Sequence, residues 1–128
     1  MNYTSSEIAK MIDHALLNPA LITNQLEEGI QIAISYDVAS VCILPYYLKR
    51  CAQLLQGSTI KASTTIGFPH GATTTAAKLA EAKQALDDGG QELDVVVNIS
   101  QVVSGKWEAV VDDLQAVIEF THARRQKV

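Results

Sequence analysis

The sequence predicts an α/β fold of four βα units with parallel strands. Three observations predict it. Short apolar runs bounded by turn residues alternate with longer segments of helical period. The connections between them are short, and no linker, low-complexity tract or long charge run interrupts the 128 residues. Regular alternation of this kind implies right-handed crossovers between parallel strands, and therefore a barrel or an open doubly wound sheet. Periodicity alone does not choose between those two.

The first strand is assigned to MIDH, residues 11 to 14, which stands where a strand is needed ahead of the first helix. Over residues 23 to 36, Leu26, Ile30, Ala33 and Ile34 fall on one helical face, with Asn24 three residues before Glu27 as a capping box. ASVCIL, residues 39 to 44, is a compact apolar run ending at Pro45, a residue suited to the first helical position because it brings no unpaired N–H. The helix that follows carries Leu48, Cys51, Ala52 and Leu55 on one side and stops at Gly57.

Ile60 to Ile66 is the third strand, and GFPHGATTT leads into a helix with Leu79, Ala82 and Leu86 on one side, closed by Gly89 and Gly90. ELDVVVN, from Glu92 to Asn98, is the fourth strand. Trp107, Val110, Val111, Leu114, Val117 and Ile118 give the fourth helix a broad apolar stripe.

Composition narrows the function. Hydrophobic residues make up 48% of the chain and charged residues 19%, enough apolar material for a core. A net charge of −4 leaves no positive excess to track a phosphate backbone, so nucleic acid is not an expected partner. No basic segment precedes an apolar one at the N-terminus, and no apolar run approaches the roughly 18 residues of a membrane span. The two cysteines, Cys42 and Cys51, lack the paired spacing of a zinc or redox motif, which fits a reducing cytoplasm and no metal.

Asp94 is the most informative candidate, because it lies inside an apolar strand where an unpaired carboxylate is costly. Strand alternation puts it on one face with Val96 and Asn98, while Leu93, Val95 and Val97 meet the helices. It is either a structural carboxylate satisfied by the neighbouring strand or an active-site group. Asp13 is a second inward carboxylate or a strand-end hydrogen-bond acceptor, and its neighbour His14 points to the opposite face. Cys42 reads as a small buried side chain rather than a reactive thiol. The loop from Gly67 to Thr75 offers an anion cradle or simply a helix cap. Lys61 sits at the start of its strand, away from the C-terminal ends where catalytic groups gather in barrels, and Lys78 and Lys83 read as solvated helix lysines.

Taken in order and at these spacings, IDHALLNP, ASVCILP, TTIGFPHGATTT and ELDVVVN resemble the N-terminal signatures of the deoxyribose-phosphate aldolases. They cover most of residues 12 to 98, and residues 99 to 123 fit the family's fourth helix less distinctively. The resemblance implies the N-terminal half of a TIM (β/α)8 barrel. It also implies a class I aldolase that cleaves 2-deoxyribose 5-phosphate reversibly into acetaldehyde and glyceraldehyde 3-phosphate, with no metal or organic cofactor. In such an enzyme a lysine forms a Schiff base and a second lysine keeps its amine partly unprotonated. The family's proton-relaying carboxylate falls on Asp94, and Asp13 and Cys42 fall on pocket positions.

The departures concern the lysines. The strand-six motif like VKTSTGF and the strand-seven motif like KASGG, which carry them in the family, do not occur in the sequence, and Ala15 stands where the family more often has threonine. The chain, residues 1 to 128, is thus expected to be a partial barrel ending near the start of strand five, inactive alone. An isolated half barrel leaves open strand edges, so self-association or a complementing C-terminal half is the expected partner. Two other readings compete: a non-catalytic half-barrel module that binds small molecules or partners, and an unrelated open α/β domain with Asp94 facing solvent.

Overall fold

A computed structural model of the chain describes residues 2–128. Four strands, β1 (Asp13–Leu16), β2 (Ser40–Ile43), β3 (Lys61–Ile66) and β4 (Glu92–Val95), form one sheet in the order β1-β2-β3-β4 with every pairing parallel. Each crossover therefore advances by one strand in the same direction. A doubly wound sheet would reverse its order at a switch point, and this one does not.

The helices are α1 (Ser5–Ala9), α2 (Thr23–Tyr36), α3 (Leu48–Leu54), α4 (Thr75–Asp87), α5 (Ile99–Val103) and α6 (Trp107–His122). The core lies between one face of the sheet and these helices. Val41, Ile43, Ala62, Ile66 and Leu93 from the strands pack with Leu26, Ile30 and Ala33 of α2, Leu48 and Cys51 of α3, Ala82 and Ala85 of α4, and Val117 of α6. Because strand side chains alternate, the residues between them, among them Cys42, Ser63, Thr65 and Asp94, take the other face. Among the described residues the core helices pack on the first face, and the second face is where the interior of a closed barrel would be.

Several element boundaries differ from the sequence expectation for local reasons. Thr4 and Glu7 form a capping box that starts α1, an element the hydrophobic pattern does not announce, and Met11 and Ile12 end up exposed ahead of β1. Helix α2 begins at Thr23 rather than after Asn24: Gln25 turns back to accept the Ile22 N–H at 3.1 Å, and Asn24 lies inside the helix. Strand β4 stops at Val95 instead of running to Asn98. Asn98 accepts the Gln101 N–H at 3.3 Å and caps α5, a role that asparagine performs well because its side-chain oxygen satisfies an orphan helix donor.

Two sheet edges remain. Beyond β4, Leu93 N–H donates to Lys127 O at 3.0 Å and Lys127 N–H to Gln91 O at 3.1 Å, a parallel bridge between Glu92 and Lys127. Beyond β1 no strand pairs among the described residues. The half-exposed or exposed apolar side chains Ile8, Ile12, Ile32 and Tyr36 line a groove there.

Candidate active site

On the uncovered face, Asp13 of β1, Cys42 of β2 and Asp94 of β4 converge: a ligand atom from each lies within 4.8 Å of the others. The three site candidates named from the sequence are thus brought together, although they come from three strands. Asp13 is fixed by Ser40, whose hydroxyl donates to Oδ1 at 2.6 Å. In register, Cys42 sits beside Ser63 and Asp94 beside Thr65. Ser63 and Thr65 are buried; the Ser63 side chain hydrogen-bonds the Cys42 thiol, and the Thr65 hydroxyl has no protein hydrogen-bond partner.

The electrostatics follow from this crowding. Burial raises the Asp94 carboxyl above the ordinary carboxylate value of 3.8, the Asp13 carboxylate raises it further, and the Cys42 thiol hydrogen-bonded to it pulls the other way. Burial also pushes the Cys42 thiol up, reinforced by Asp94 and Asp13, so the group is held as a neutral thiol and not as a nucleophilic thiolate. Cys51, in the core between α3 and the sheet, is raised to about 12 by burial alone.

The Asp94 shift has a consequence for stability. A carboxyl whose folded-state pKa is raised binds protons more tightly folded than unfolded, so its contribution to stability is present at low pH and is lost as pH rises from the ordinary carboxylate range through the raised value. We expect Asp94→Asn to be at least as stable as the wild-type chain at neutral pH, with a flatter dependence above about pH 4. Urea midpoints measured across that range check it; a variant less stable at neutral pH with an unchanged slope would contradict it.

The other sequence candidates lie elsewhere. His14 is on the helix-side face of β1 with Nε2 buried and unpartnered, and it forms no dyad with Asp13. The β3–α4 loop, read from sequence as an anion cradle or a helix cap, leaves His70 exposed. In that loop Thr74 accepts the Ala77 N–H at 3.3 Å and caps α4, and Gly67 N–H donates to Glu81 at 2.6 Å.

Lys78 is a correction. It is not solvated: its side chain is 0% exposed, and Nζ donates to Asp113 Oδ2 at 2.5 Å and to Val96 O at 2.8 Å, just beyond Asp94. Asp113 Oδ1 in turn accepts from the Thr75 hydroxyl at 2.8 Å. The sequence held a signal for this pair. Lys78 shares a helical face with Ala82 and Ala85, and Asp113 lies between Val110 and Val117 on the buried stripe of α6, so two opposite charges occupy facing core positions.

Residues 7–127 match the model of the DeoC/LacD family aldolases. The chain is 60% identical over 127 residues to a deoxyribose-phosphate aldolase of Rhodopirellula baltica, covering 99% of this chain and 53% of that protein. It is 43% identical over 120 residues to one of Trichormus variabilis, covering 94% and 53%. Among solved structures, the aldolase QR15 superposes with a TM-score of 0.83 at 35% identity over 90% of this chain and 51% of its own. The tetrameric deoxyribose phosphate aldolase of Aeropyrum pernix gives 0.81 at 28% identity, over 91% and 48%.

The chain spans about half the length of the curated relatives it matches, 53% of each of the two just named. Its four parallel βα units correspond to half of the TIM barrel of the aldolase structures. By the family match over residues 7–127, the chain belongs to the DeoC/LacD aldolase family.

Proposed function

We propose that this chain supplies the β1–β4 side of an aldolase site for 2-deoxyribose 5-phosphate, and that it turns over only with a lysine contributed by a second half barrel. The observation that carries this reading is the convergence of Asp13, Cys42 and Asp94 on the uncovered face of the sheet. Asp94 is the group that takes and returns a proton as the carbon–carbon bond breaks, with its carboxyl pKa raised toward the working range. Asp13, held by Ser40, sets the local charge, and Cys42 fills the floor of the pocket as a neutral thiol.

The covalent step needs an accessible amine. In a class I aldolase the lysine amine attacks the carbonyl, water leaves, and the resulting iminium accepts the electron pair released by the broken bond. No cofactor is required for this. None of the chain's seven lysines suits the role. Lys78 is 0% exposed in its ion pair. Lys61 is at the N-terminal end of β3. Lys10, Lys83 and Lys127 pair with Asp37, Asp87 and Glu92. Lys49 lies on α3, and Lys106 precedes α6.

The partner is a complementing half barrel or a second copy of the chain, seated against the open β1 edge and the apolar groove of Ile8, Ile12, Ile32 and Tyr36. No helix among the described residues is long and apolar enough to cross a membrane, and both cysteines are free, which supports a cytoplasmic setting. Treating the chain alone with 2-deoxyribose 5-phosphate and borohydride tests the lysine assignment. The intact mass should stay unchanged, and a stable adduct on Lys61 or Lys78 would refute it.

A further inference from the structure

The end of β4 is held by a side chain as well as by the sheet. Val96 N–H still donates to Ile66 O at 2.9 Å, just past the last strand residue, Val95. In a parallel ladder the Val96 carbonyl would next accept from a continuing β3, but β3 ends at Ile66 and the chain turns away at Gly67. Lys78 Nζ takes that place and donates to Val96 O at 2.8 Å. The stem of the lysine passes close to Gly67, where a Cβ would lie 2.8 Å from Lys78 Cε, and its ammonium is anchored at 2.5 Å by Asp113 of α6. One buried side chain of α4 thus ties together the ends of β3 and β4 and the helix α6.

Stability does not account for a charge in this place. Well-packed apolar residues of similar volume generally stabilise a core as well as a buried ion pair does, or better. What they cannot supply is a donor to the Val96 carbonyl. The carbonyl that receives it stands two residues past Asp94, which is itself the last but one residue of β4.

We propose that Lys78, anchored by Asp113, is a positioning residue for Asp94: it fixes the course of the strand just beyond the carboxylate and so keeps Asp94 grouped with Asp13 and Cys42. Lys78 acts through the backbone, from the helix side of the sheet, and its side chain is 0% exposed. The carboxylate is placed by the path of the strand, because its close neighbours, the Cys42 thiol and the Asp13 carboxylate, provide no cation to hold it. The assignment rests on the aldolase reading for what Asp94 does; the tie to β4 does not.

The test separates the tie from stability, in the chain alone. Lys78→Met with Asp113→Leu keeps the core filled and removes the donor to Val96 O, whereas Asp113→Asn removes the counter-charge and leaves that donor. In the double variant the Val96 amide should exchange with D₂O about tenfold or more faster, relative to a core amide such as that of Ile30, because a hydrogen bond from a charged donor is lost. The Asp94 carboxyl, followed by NMR, should titrate closer to the ordinary carboxylate value as it gains solvent, with Asp13, Cys42 and Glu92 unchanged around it. In folded Asp113→Asn both readings should stay at the wild-type values even though the chain is less stable. Lys78→Met alone, studied below its unfolding transition, carries the same readings if the double variant does not fold. Wild-type exchange and titration in a folded chain without Lys78, or an Asp94 midpoint that moves in Asp113→Asn, overturns the proposal. Neither reading uses turnover, so an inactive complemented barrel would count against the aldolase reading alone.

Discussion

Lys78→Met should cost the chain about 3–5 kcal/mol of unfolding free energy, the usual penalty for removing one partner of a buried ion pair. The lysine is 0% exposed and Asp113 9% exposed, so the substitution leaves a carboxylate with only the Thr75 hydroxyl as partner and removes the donor to Val96 O. Domains of this kind have about 5–15 kcal/mol in total, so much of the chain's stability goes with it. Removing both charges, as Lys78→Met with Asp113→Leu, should recover most of the loss, because well-packed apolar groups replace such pairs at little net cost. Lys83→Met, which breaks the exposed pair with Asp87, should change stability by no more than about 1 kcal/mol. Urea unfolding of the four chains reads the contrast, and a Lys78→Met loss no larger than that of Lys83→Met would contradict it.

Gly71→Ala is the second large effect. The residue has φ +63°, and a Cβ there would lie 1.9 Å from Val97 O and 2.7 Å from Val96 O. Both obstacles are backbone, so the β3–α4 loop or the end of β4 must move. Left-handed backbone costs a non-glycine residue about 1–2 kcal/mol, and forced overpacking adds about 1–3 kcal/mol. Gly57→Ala is the control. Its φ is +86° with nothing within 4 Å of the added carbon, so only the backbone part applies. Comparing the two denaturation midpoints separates strain from collision; equal losses would show that the loop does not rest on the end of β4.

Both effects fall on the segment directly after Asp94, which explains how much of the site was legible in sequence. Alternating apolar runs and helical stripes lead to four parallel βα units because period 2 and period 3.6 patterns differ strongly. Choosing a barrel half over an open doubly wound sheet needed more than periodicity. The quoted motifs resembled a barrel family, and the sequential strand order excludes a doubly wound sheet, although Asp94 is exposed on the uncovered face. Missed features depend on local hydrogen bonds or on contacts between elements. Asn98 ends β4 by capping α5, against a run of valines that favours strand. Lys78 and Asp113 look like surface charges one at a time and make sense only as a pair on facing helices. Asp94 stood out as a carboxylate among valines, but its crowding with Asp13 and Cys42 is a product of sheet curvature that no single strand reveals.

The most direct test of the central claim is turnover of 2-deoxyribose 5-phosphate by this chain mixed with a separately produced C-terminal half of a related aldolase. Activity that appears only on mixing, and is lost when Asp94→Asn replaces the wild-type chain, is the predicted result. Turnover by the chain alone, or full activity in the mixture with Asp94→Asn, would contradict the account.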